Sequence, residues 1–124
     1  EINNLRRLQK LDLAGCESLL AIPHQISFFA QLKKINMSGC IQLSEIPRAV
    51  GALRWLESFQ ANSCMQIKDF PDEIGNLQRL KKLELAHCIQ LRILPPSLKK
   101  LKSLVELNLD YCERLSELPD EIGI

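Results

Sequence analysis

The chain has 124 residues, of which 46% are hydrophobic and 5% aromatic, so we expect one domain with a mainly aliphatic core. A formal charge of +1 and a pI near 7.9 argue against a nucleic-acid or acidic-membrane partner. The longest apolar run is far shorter than the ~20 residues that span a bilayer, and no charged-then-apolar signal segment opens the chain.

The sequence repeats with a period of 24 residues over its whole length. The cysteines recur at this step, as Cys16, Cys40, Cys64, Cys88 and Cys112. The prolines keep the same step, as Pro23, Pro47, Pro71, Pro95 and Pro119, and only Pro96 lies outside the series. A fixed period of this size indicates units that stack on one another.

Nine framework positions in each unit are apolar, and they keep one register along the chain. The first unit has Leu5, Leu8, Leu11, Leu13, Cys16, Leu19, Ile22, Pro23 and Ile26. The second has Phe29, Leu32, Ile35, Met37, Cys40, Leu43, Ile46, Pro47 and Val50. The third has Leu53, Leu56, Phe59, Ala61, Cys64, Ile67, Phe70, Pro71 and Ile74. The fourth has Leu77, Leu80, Leu83, Leu85, Cys88, Leu91, Leu94, Pro95 and Leu98. The fifth has Leu101, Leu104, Leu107, Leu109, Cys112, Leu115, Leu118, Pro119 and Ile122. Ala61 is clearly smaller than its counterparts, so looser packing is expected there.

Each unit contains one short predicted strand. In the fourth unit Leu83 and Leu85 alternate with polar residues, which is typical of a half-buried strand, so Lys82 and Glu84 should face outward. Equivalent strands run in one direction and should pair in parallel, on the inner curve of the stack. The chain should turn off the strands at one shared position, occupied by Gly15, Gly39, Ser63, His87 and Tyr111.

The rest of each unit supplies the crossover that parallel strands require. Proline fixes φ and lacks an amide donor, so a continuous helix through the Leu-x-x-Leu-Pro stretch is unfavourable. A short helical turn is expected after the proline, for example at residues 72–74 and 120–122, where acidic residues suit a first helical turn.

The cysteine column has three possible interpretations: a metal or redox site, a disulfide ladder, or small core side chains. Stacking should place the thiols in one row facing the interior. The row spacing alone would permit bridges, but parallel side-chain vectors oppose them. We favour thiols that fill a small apolar space and donate weakly to a turn carbonyl. Reduced, buried thiols would indicate a reducing compartment.

The pattern L-x-x-L-x-L-x-x-C-x-x-L is the leucine-rich repeat signature. Residues 11–16 (LDLAGC), 46–51 (IPRAVG) and 70–77 (FPDEIGNL) resemble the repeats of plant intracellular nucleotide-binding immune (disease-resistance) receptors. This resemblance implies an α/β fold: a right-handed solenoid shaped as a horseshoe segment, with short parallel strands on the concave face and turns or short helical turns on the convex face. It also implies a cytoplasmic or nuclear setting, and either recognition of pathogen proteins or restraint of a neighbouring domain.

Residues 1–124 are predicted to form a single leucine-rich repeat domain of five units without recognisable caps. Terminal repeats normally need a polar cap. We therefore expect an excised segment of a larger protein or an engineered array, with exposed leucines and a tendency to self-associate end to end.

Candidate protein-binding positions lie on the concave face, on its margin and on a flank. His87 and Tyr111 at the margin are expected to act as anchors. Trp55 lies outside the buried framework and is either a binding hot spot or a cover for its neighbours. An ordinary solvated face is the alternative for each of the others. The candidates are Lys10, Asp12, Lys34, Asn36, Trp55, Gln60, Lys82, Glu84, His87, Asn108, Asp110 and Tyr111.

Charge follows the period as well. Residues 3–10 and their equivalents hold twelve of the sixteen basic residues and two of the acidic ones. This predicts a basic flank where the chain approaches the strands, with Arg6, Arg7, Lys33, Arg54, Arg79, Lys81, Lys99 and Lys102. It also predicts an acidic flank on the opposite side, with Glu45, Asp69, Asp72, Glu117 and Asp120. Either the charges serve solubility, or the basic flank steers an acidic surface of a partner.

No catalytic, cofactor-binding or metal-binding pattern is present in the sequence. The histidines, His24 and His87, occupy different phases of the repeat, and neither pairs with an exposed nucleophile. We expect a non-catalytic protein-binding module, serving as the recognition or autoinhibitory segment of an immune receptor, whose partner is a pathogen effector or a neighbouring domain. The alternatives are a structural scaffold or engineered array, and the substrate-recognition segment of a larger signalling enzyme.

Overall fold

The computed structural model describes residues 5–116. Five strands of three residues each form one parallel sheet in the order β1-β2-β3-β4-β5. Their bounds are Lys10–Asp12 (β1), Lys34–Asn36 (β2), Ser58–Gln60 (β3), Lys82–Glu84 (β4) and Glu106–Asn108 (β5). Because strand order follows chain order, each 24-residue unit adds one rung to the sheet and forms one coil of the stack.

The register of the sheet is the register of the repeat. Leu11, Ile35, Phe59, Leu83 and Leu107 are Cα partners on successive strands. The three central ones are fully buried, as the alternation predicts. Each coil therefore shields its apolar side against the next coil, and the architecture is a leucine-rich repeat solenoid.

The turn off each strand requires a left-handed backbone. Gly15 and Gly39 both have φ of 75°, and the equivalent Ser63, His87 and Tyr111 have φ of 58°, 61° and 61°. The predicted turn position is thus confirmed in all five coils. Glycine adopts this conformation freely, whereas other residues pay about 1–2 kcal/mol for the contact of Cβ with the following carbonyl.

A short 3-10 helix follows the proline in each of four coils. These helices span His24–Phe28 (η1), Arg48–Ala52 (η2), Asp72–Asn76 (η3) and Pro96–Lys100 (η4). The helical turn predicted at residues 72–74 is confirmed, and the one at residues 120–122 lies outside the described residues. Acidic residues occupy the first turn of η3 but not of the other three helices, so they are no general feature of the turn.

The helices of successive coils approach closely at two glycines. A Cβ on Gly51 would lie 2.7 Å from Cβ of Glu73, and a Cβ on Gly75 would lie 2.7 Å from Cβ of Ser97. Both glycines are buried. The side of the stack opposite the sheet is therefore packed through backbone contacts at these coils.

The core is continuous and apolar along the described residues, with no buried polar or charged side chain among them. Ala61 is fully buried. Phe59 and Phe70 of the same coil pack edge to face with ring centroids 5.8 Å apart. They replace smaller aliphatic residues of other coils, so this coil gains volume at two positions while it loses volume at Ala61.

The cysteine row behaves as small core side chains with a specific hydrogen bond. Four of the five thiols donate to a carbonyl of the preceding coil: Cys40 to Leu13, Cys64 to Met37, Cys88 to Ala61 and Cys112 to Leu85, at 2.9–3.2 Å. All five thiols are free; Cys40, Cys64 and Cys88 are buried, whereas Cys112 is half-buried and Cys16 is exposed, so the predicted interior position is confirmed for the three central coils and is wrong for Cys16. The four bonded thiols link each of their coils to the coil before it.

Burial is also what controls the acidity of these thiols. It raises the pKa of Cys64 to about 12 and that of Cys88 to about 11. The central thiols therefore remain protonated, which suits donation to a carbonyl and disfavours reaction as thiolate.

Candidate protein-binding surface

The sheet face carries the predicted columns of outward side chains. Lys10, Lys34, Ser58, Lys82 and Glu106 occupy one row of Cα partners, and Asp12, Asn36, Gln60, Glu84 and Asn108 occupy the next. The framework beneath them is fixed by burial, so these side chains are presented on a rigid base. Their role in binding stays a prediction.

Several candidates in the second row already have a structural task. The Oδ1 atoms of Asp12, Asn36 and Asn108 each accept a hydrogen bond from the backbone N–H two residues later, at 2.9–3.0 Å. This Asx geometry starts the turn off the strand. One side-chain oxygen of each residue is therefore occupied, and only the remaining polar atoms face outward for a partner.

A charged cluster at β4 is satisfied within the chain. The Lys82 ammonium lies 2.8 Å from a carboxylate oxygen of Glu84 and 4.0 Å from one of Glu106. The Asn62 amide donates to the other Glu84 oxygen at 2.8 Å and accepts from the Ala86 N–H at 2.9 Å. Hydrogen bonds from Lys82 and then Asn62 hold the pKa of Glu84 below its usual range, and the bond to Glu84 raises the pKa of Lys82.

The first two strands show the opposite arrangement. Lys10 and Lys34 are direct partners on β1 and β2, and both are exposed. The ion pairs found within residues 5–116 all involve Lys82, so neither of these lysines is paired there. Like charges directly opposite one another are unfavourable. The sheet face is thus neutralised at β4 and carries unneutralised positive charge at β1 and β2.

Two aromatic residues form a platform where the chain leaves the sheet. The rings of His87 and Tyr111 stack with centroids 4.6 Å apart and an interplanar angle of 13°. Tyr111 is 67% exposed. Both residues keep the left-handed backbone that glycine occupies in the first two coils, so the chain displays these rings despite the backbone strain. Asp110 lies exposed beside them.

Two exposed apolar side chains, each two residues after the turn position, were not predicted from the sequence. Ile41 and Ile89 are exposed although they are large and hydrophobic. They share one phase of the repeat with Met65, whereas Glu17 and Glu113 hold that phase in the terminal units. The 24-residue period could have found them, because an apolar residue outside the framework recurs in three central units.

Trp55 lies on the basic flank, three residues before β3 and outside the sheet-face rows. It is 46% exposed, and the Arg79 guanidinium carbon lies 3.8 Å from the centroid of its ring. A pocket of about 300 Å³ opens beside it, lined by Gln9, Gln31, Lys33 and Trp55. Gln9 and Gln31 were missed by sequence reasoning, although each precedes a lining residue, Lys33 or Trp55, by one full period.

The predicted flanks differ in character. The basic flank residues are all exposed, and Arg6 lies over the Phe28 ring at 5.7 Å. On the other flank, Glu45, Asp69 and Asp72 line an open groove of about 540 Å³ that also contains Pro47, Pro71 and Pro95. Glu117 and Asp120 lie outside the described residues.

Within residues 5–116, the His, Cys, Asp and Glu side chains form no group of three or more that could hold a metal ion. None of the helices in that range is long and apolar enough to cross a membrane.

The proteins similar to this chain are found among solved structures. No protein-family model and no curated protein matches the sequence. Among solved structures the chain is similar to a plant ice-binding protein at 25% identity and a TM-score of 0.63, over 82% of this chain and 33% of that one. It is also similar to the leucine-rich repeat domain of the type III effector XopL, at 19% identity and a TM-score of 0.48, over 97% of this chain and 66% of that one.

A third similar structure is the Arabidopsis receptor kinase HAESA, solved in complex with the peptide hormone IDA and the co-receptor SERK1. The identity is 31% and the TM-score 0.43, over 81% of this chain and 21% of that one. The chain thus spans less than two thirds of the length of each of these three proteins.

Proposed function

We propose that this chain is a protein-recognition segment of a plant-type intracellular immune receptor, and that it binds through the sheet face and its margins. The observation that carries the proposal is the contrast between a buried framework held in strict register and outward rows that change from coil to coil. A rigid frame with variable outward residues loses little conformational entropy on binding.

The strained aromatic pair supports the same conclusion. Non-glycine residues in a left-handed conformation persist where the surrounding structure fixes them, and they cluster at functional sites. His87 and Tyr111 present stacked, exposed rings at the sheet margin. Aromatic residues are enriched among binding hot spots, so this platform is a suitable anchor for a partner.

The receptor class, the compartment and the partner rest on the sequence resemblance and on the thiols. Free, buried cysteines suit a reducing compartment, so we place the protein in the cytoplasm or nucleus. The partner is a pathogen effector or a neighbouring domain of the same receptor. We do not propose ice binding for this chain. The chain spans only a third of the similar plant protein, and the outward rows of this chain contain many charged side chains.

A capture experiment tests the binding surface. The chain is immobilised and exposed to plant cell extract, and each retained protein is then purified and titrated against single alanine variants at Trp55, Lys82, Glu84 and Tyr111. Lys100→Ala on the opposite side of the solenoid is the matched control. We expect a retained protein that binds the sheet-side variants more weakly than the native chain and binds the Lys100→Ala control as tightly as the native chain. Unchanged binding in all four variants would reject the sheet-face hypothesis.

Sequencing the parent gene on both sides of this segment tests the receptor class. A nucleotide-binding motif upstream would support the immune-receptor proposal, whereas a kinase or ligase domain would favour substrate recognition by a signalling enzyme. Repeats alone on both sides would favour a scaffold.

A further inference from the structure

We infer that the β1–β2 half of the sheet face and the Trp55 pocket together bind an acidic protein segment that carries an apolar or aromatic residue among its carboxylates. This inference rests on the proposed function and adds the chemistry of the partner and the half of the surface that it contacts. It follows from the charge on the strands, the lining of the pocket and the distance over which the positive charge extends.

The three lysines of one outward row differ in whether they have a counter-ion within the described residues. Lys82 has its counter-ion within the chain, at 2.8 Å, whereas Lys10 and Lys34 face each other on adjacent strands without an ion pair among residues 5–116. Adjacent parallel strands are about 4.8 Å apart. A carboxylate placed between these two ammonium groups would relieve their repulsion, so an anionic ligand is favoured here and not at β4.

The local carboxylates do not cancel this charge. Asp12 is the acidic residue of the outward rows on the first three strands, and one of its oxygens accepts the Ala14 N–H at 3.0 Å. Glu57 is the other nearby acid, and it is partly buried before β3. Lys33 adds a further exposed positive charge directly beside Lys34. The net charge on the β1–β2 half of the sheet face therefore remains positive.

The Trp55 pocket offers two kinds of contact in one place, and two of its lining residues, Gln9 and Lys33, directly precede Lys10 and Lys34 in the chain. Gln9, Gln31 and Lys33 supply amide and ammonium donors that suit carboxylate oxygens. Trp55 supplies an apolar wall, and Arg79 lies against its ring at 3.8 Å. A volume of about 300 Å³ accommodates one side chain of a partner more readily than a folded element. The pocket therefore favours an apolar side chain flanked by carboxylates.

A single-stranded nucleic acid would also bring anions and stacking rings, but the charge pattern favours a protein. Nucleic acids carry a phosphate at every nucleotide and are usually bound along a continuous basic groove. The row of unpaired lysines on β1 and β2 is interrupted by Ser58 on β3, and the next lysine of that row, Lys82 on β4, is paired with Glu84. A short acidic segment fits the limited length of this unpaired lysine row.

Fluorescence anisotropy with defined probes tests the inference on the intact chain. The probe is a short labelled peptide with several glutamates around a central leucine–phenylalanine pair. The comparison probes are the same peptide with lysines for glutamates, the same peptide with serines for the apolar pair, and a labelled oligo-deoxythymidine. We expect the acidic apolar peptide to bind most tightly and to weaken as salt concentration rises.

Three exposed positions give matched variants. Lys34→Glu should weaken the acidic peptide by up to about fivefold, the range of one exposed charge pair. Trp55→Ala should weaken it by more than about fivefold, as for an aromatic anchor. Lys102→Glu makes the same charge change on the basic flank of the last coil, away from β1 and β2, and should leave affinity within about twofold. Circular dichroism checks that each variant is folded.

Equal weakening by Lys34→Glu and Lys102→Glu would overturn the assigned location, since it would indicate general attraction to a basic flank. Tighter binding of the oligonucleotide or the basic peptide would overturn the partner chemistry. If the acidic peptide fails to bind while sheet-side variants still weaken the affinity for a captured protein, this inference is wrong and the proposed function stands. If the affinity for captured proteins is unchanged in every sheet-side variant, the proposed function itself is wrong.

Discussion

Gly75→Ala probes the contact between the helices of the third and fourth coils. Gly75 is buried in η3, and an added Cβ would lie 2.7 Å from both Cβ and the carbonyl oxygen of Ser97 in η4. One of these atoms belongs to the backbone, so the clash cannot be relieved by a rotamer change alone. Ser97 is held in place as well, because its hydroxyl donates to the Asp72 carbonyl at 2.7 Å.

Two opposing effects set the size of the change. Overpacking a tight contact costs about 1–3 kcal/mol. Replacing glycine by alanine restricts the unfolded chain and returns about 0.4–1 kcal/mol where the backbone conformation suits alanine. The φ of Gly75 lies outside the left-handed region, so this compensation applies. We expect a net loss of about 1–2 kcal/mol in the free energy of unfolding.

Thermal and urea unfolding monitored by far-UV circular dichroism measure this loss. For a domain of this length, about 1 kcal/mol corresponds to a decrease in Tm of roughly 4 °C. Lys99→Ala is the matched control, because Lys99 is the equivalent residue one coil later and is exposed; we expect a change below about 0.5 kcal/mol there. A Gly75→Ala variant as stable as the native chain would refute the close backbone packing of the helices.

Three further outcomes are expected. The hydrogen bond from Lys82 lowers the pKa of Glu84 in the fold, so the stabilisation from ionised Glu84 is complete above its unfolded pKa and is lost as pH falls through its folded pKa. Glu84→Gln should therefore make Tm less sensitive to acid, and a dependence of Tm on pH identical to that of the native chain would contradict this. In a thiol-reagent assay at neutral pH, Cys16 should react at once and Cys64 only upon unfolding, because burial raises the pKa of Cys64 to about 12; rapid reaction of Cys64 in the native chain would be inconsistent with the buried row. Leu83→Asp places an unpaired charge in the core and should abolish cooperative unfolding of the central coils; a native-like melting curve would count against the assigned register.

The β4 end of the sheet face contributes to stability more than the β1–β2 end does. The β4 cluster of Lys82, Glu84 and Asn62 satisfies its own charges, so its side chains also hold neighbouring strands together. The lysines of β1 and β2 lack such partners among the described residues and are available to a ligand. Variants at Lys10 or Lys34 should therefore affect binding more than stability, whereas Glu84 variants should affect both.

The repeat, the strands that form the rungs of the sheet and the turn positions could all be predicted from the order of the residues. Cysteine and proline at a 24-residue step fixed the register, and the alternation around Leu83 identified the inward side of each strand. Periodicity carries this information because every coil must present its apolar side at the same height to its neighbours. The interior role of Cys64 and Cys88 followed from the same requirement and is confirmed.

Which outward side chains already have partners within the chain becomes visible in the folded stack and not before. A one-dimensional pattern places Lys34 and Lys82 in the same row, yet only Lys82 has a counter-ion, since Glu84 and Glu106 lie beside it. It also could not show that Trp55 forms a pocket with glutamines of two preceding coils. Register follows from backbone spacing, whereas ion pairing and pocket formation depend on side-chain conformations set jointly by several coils.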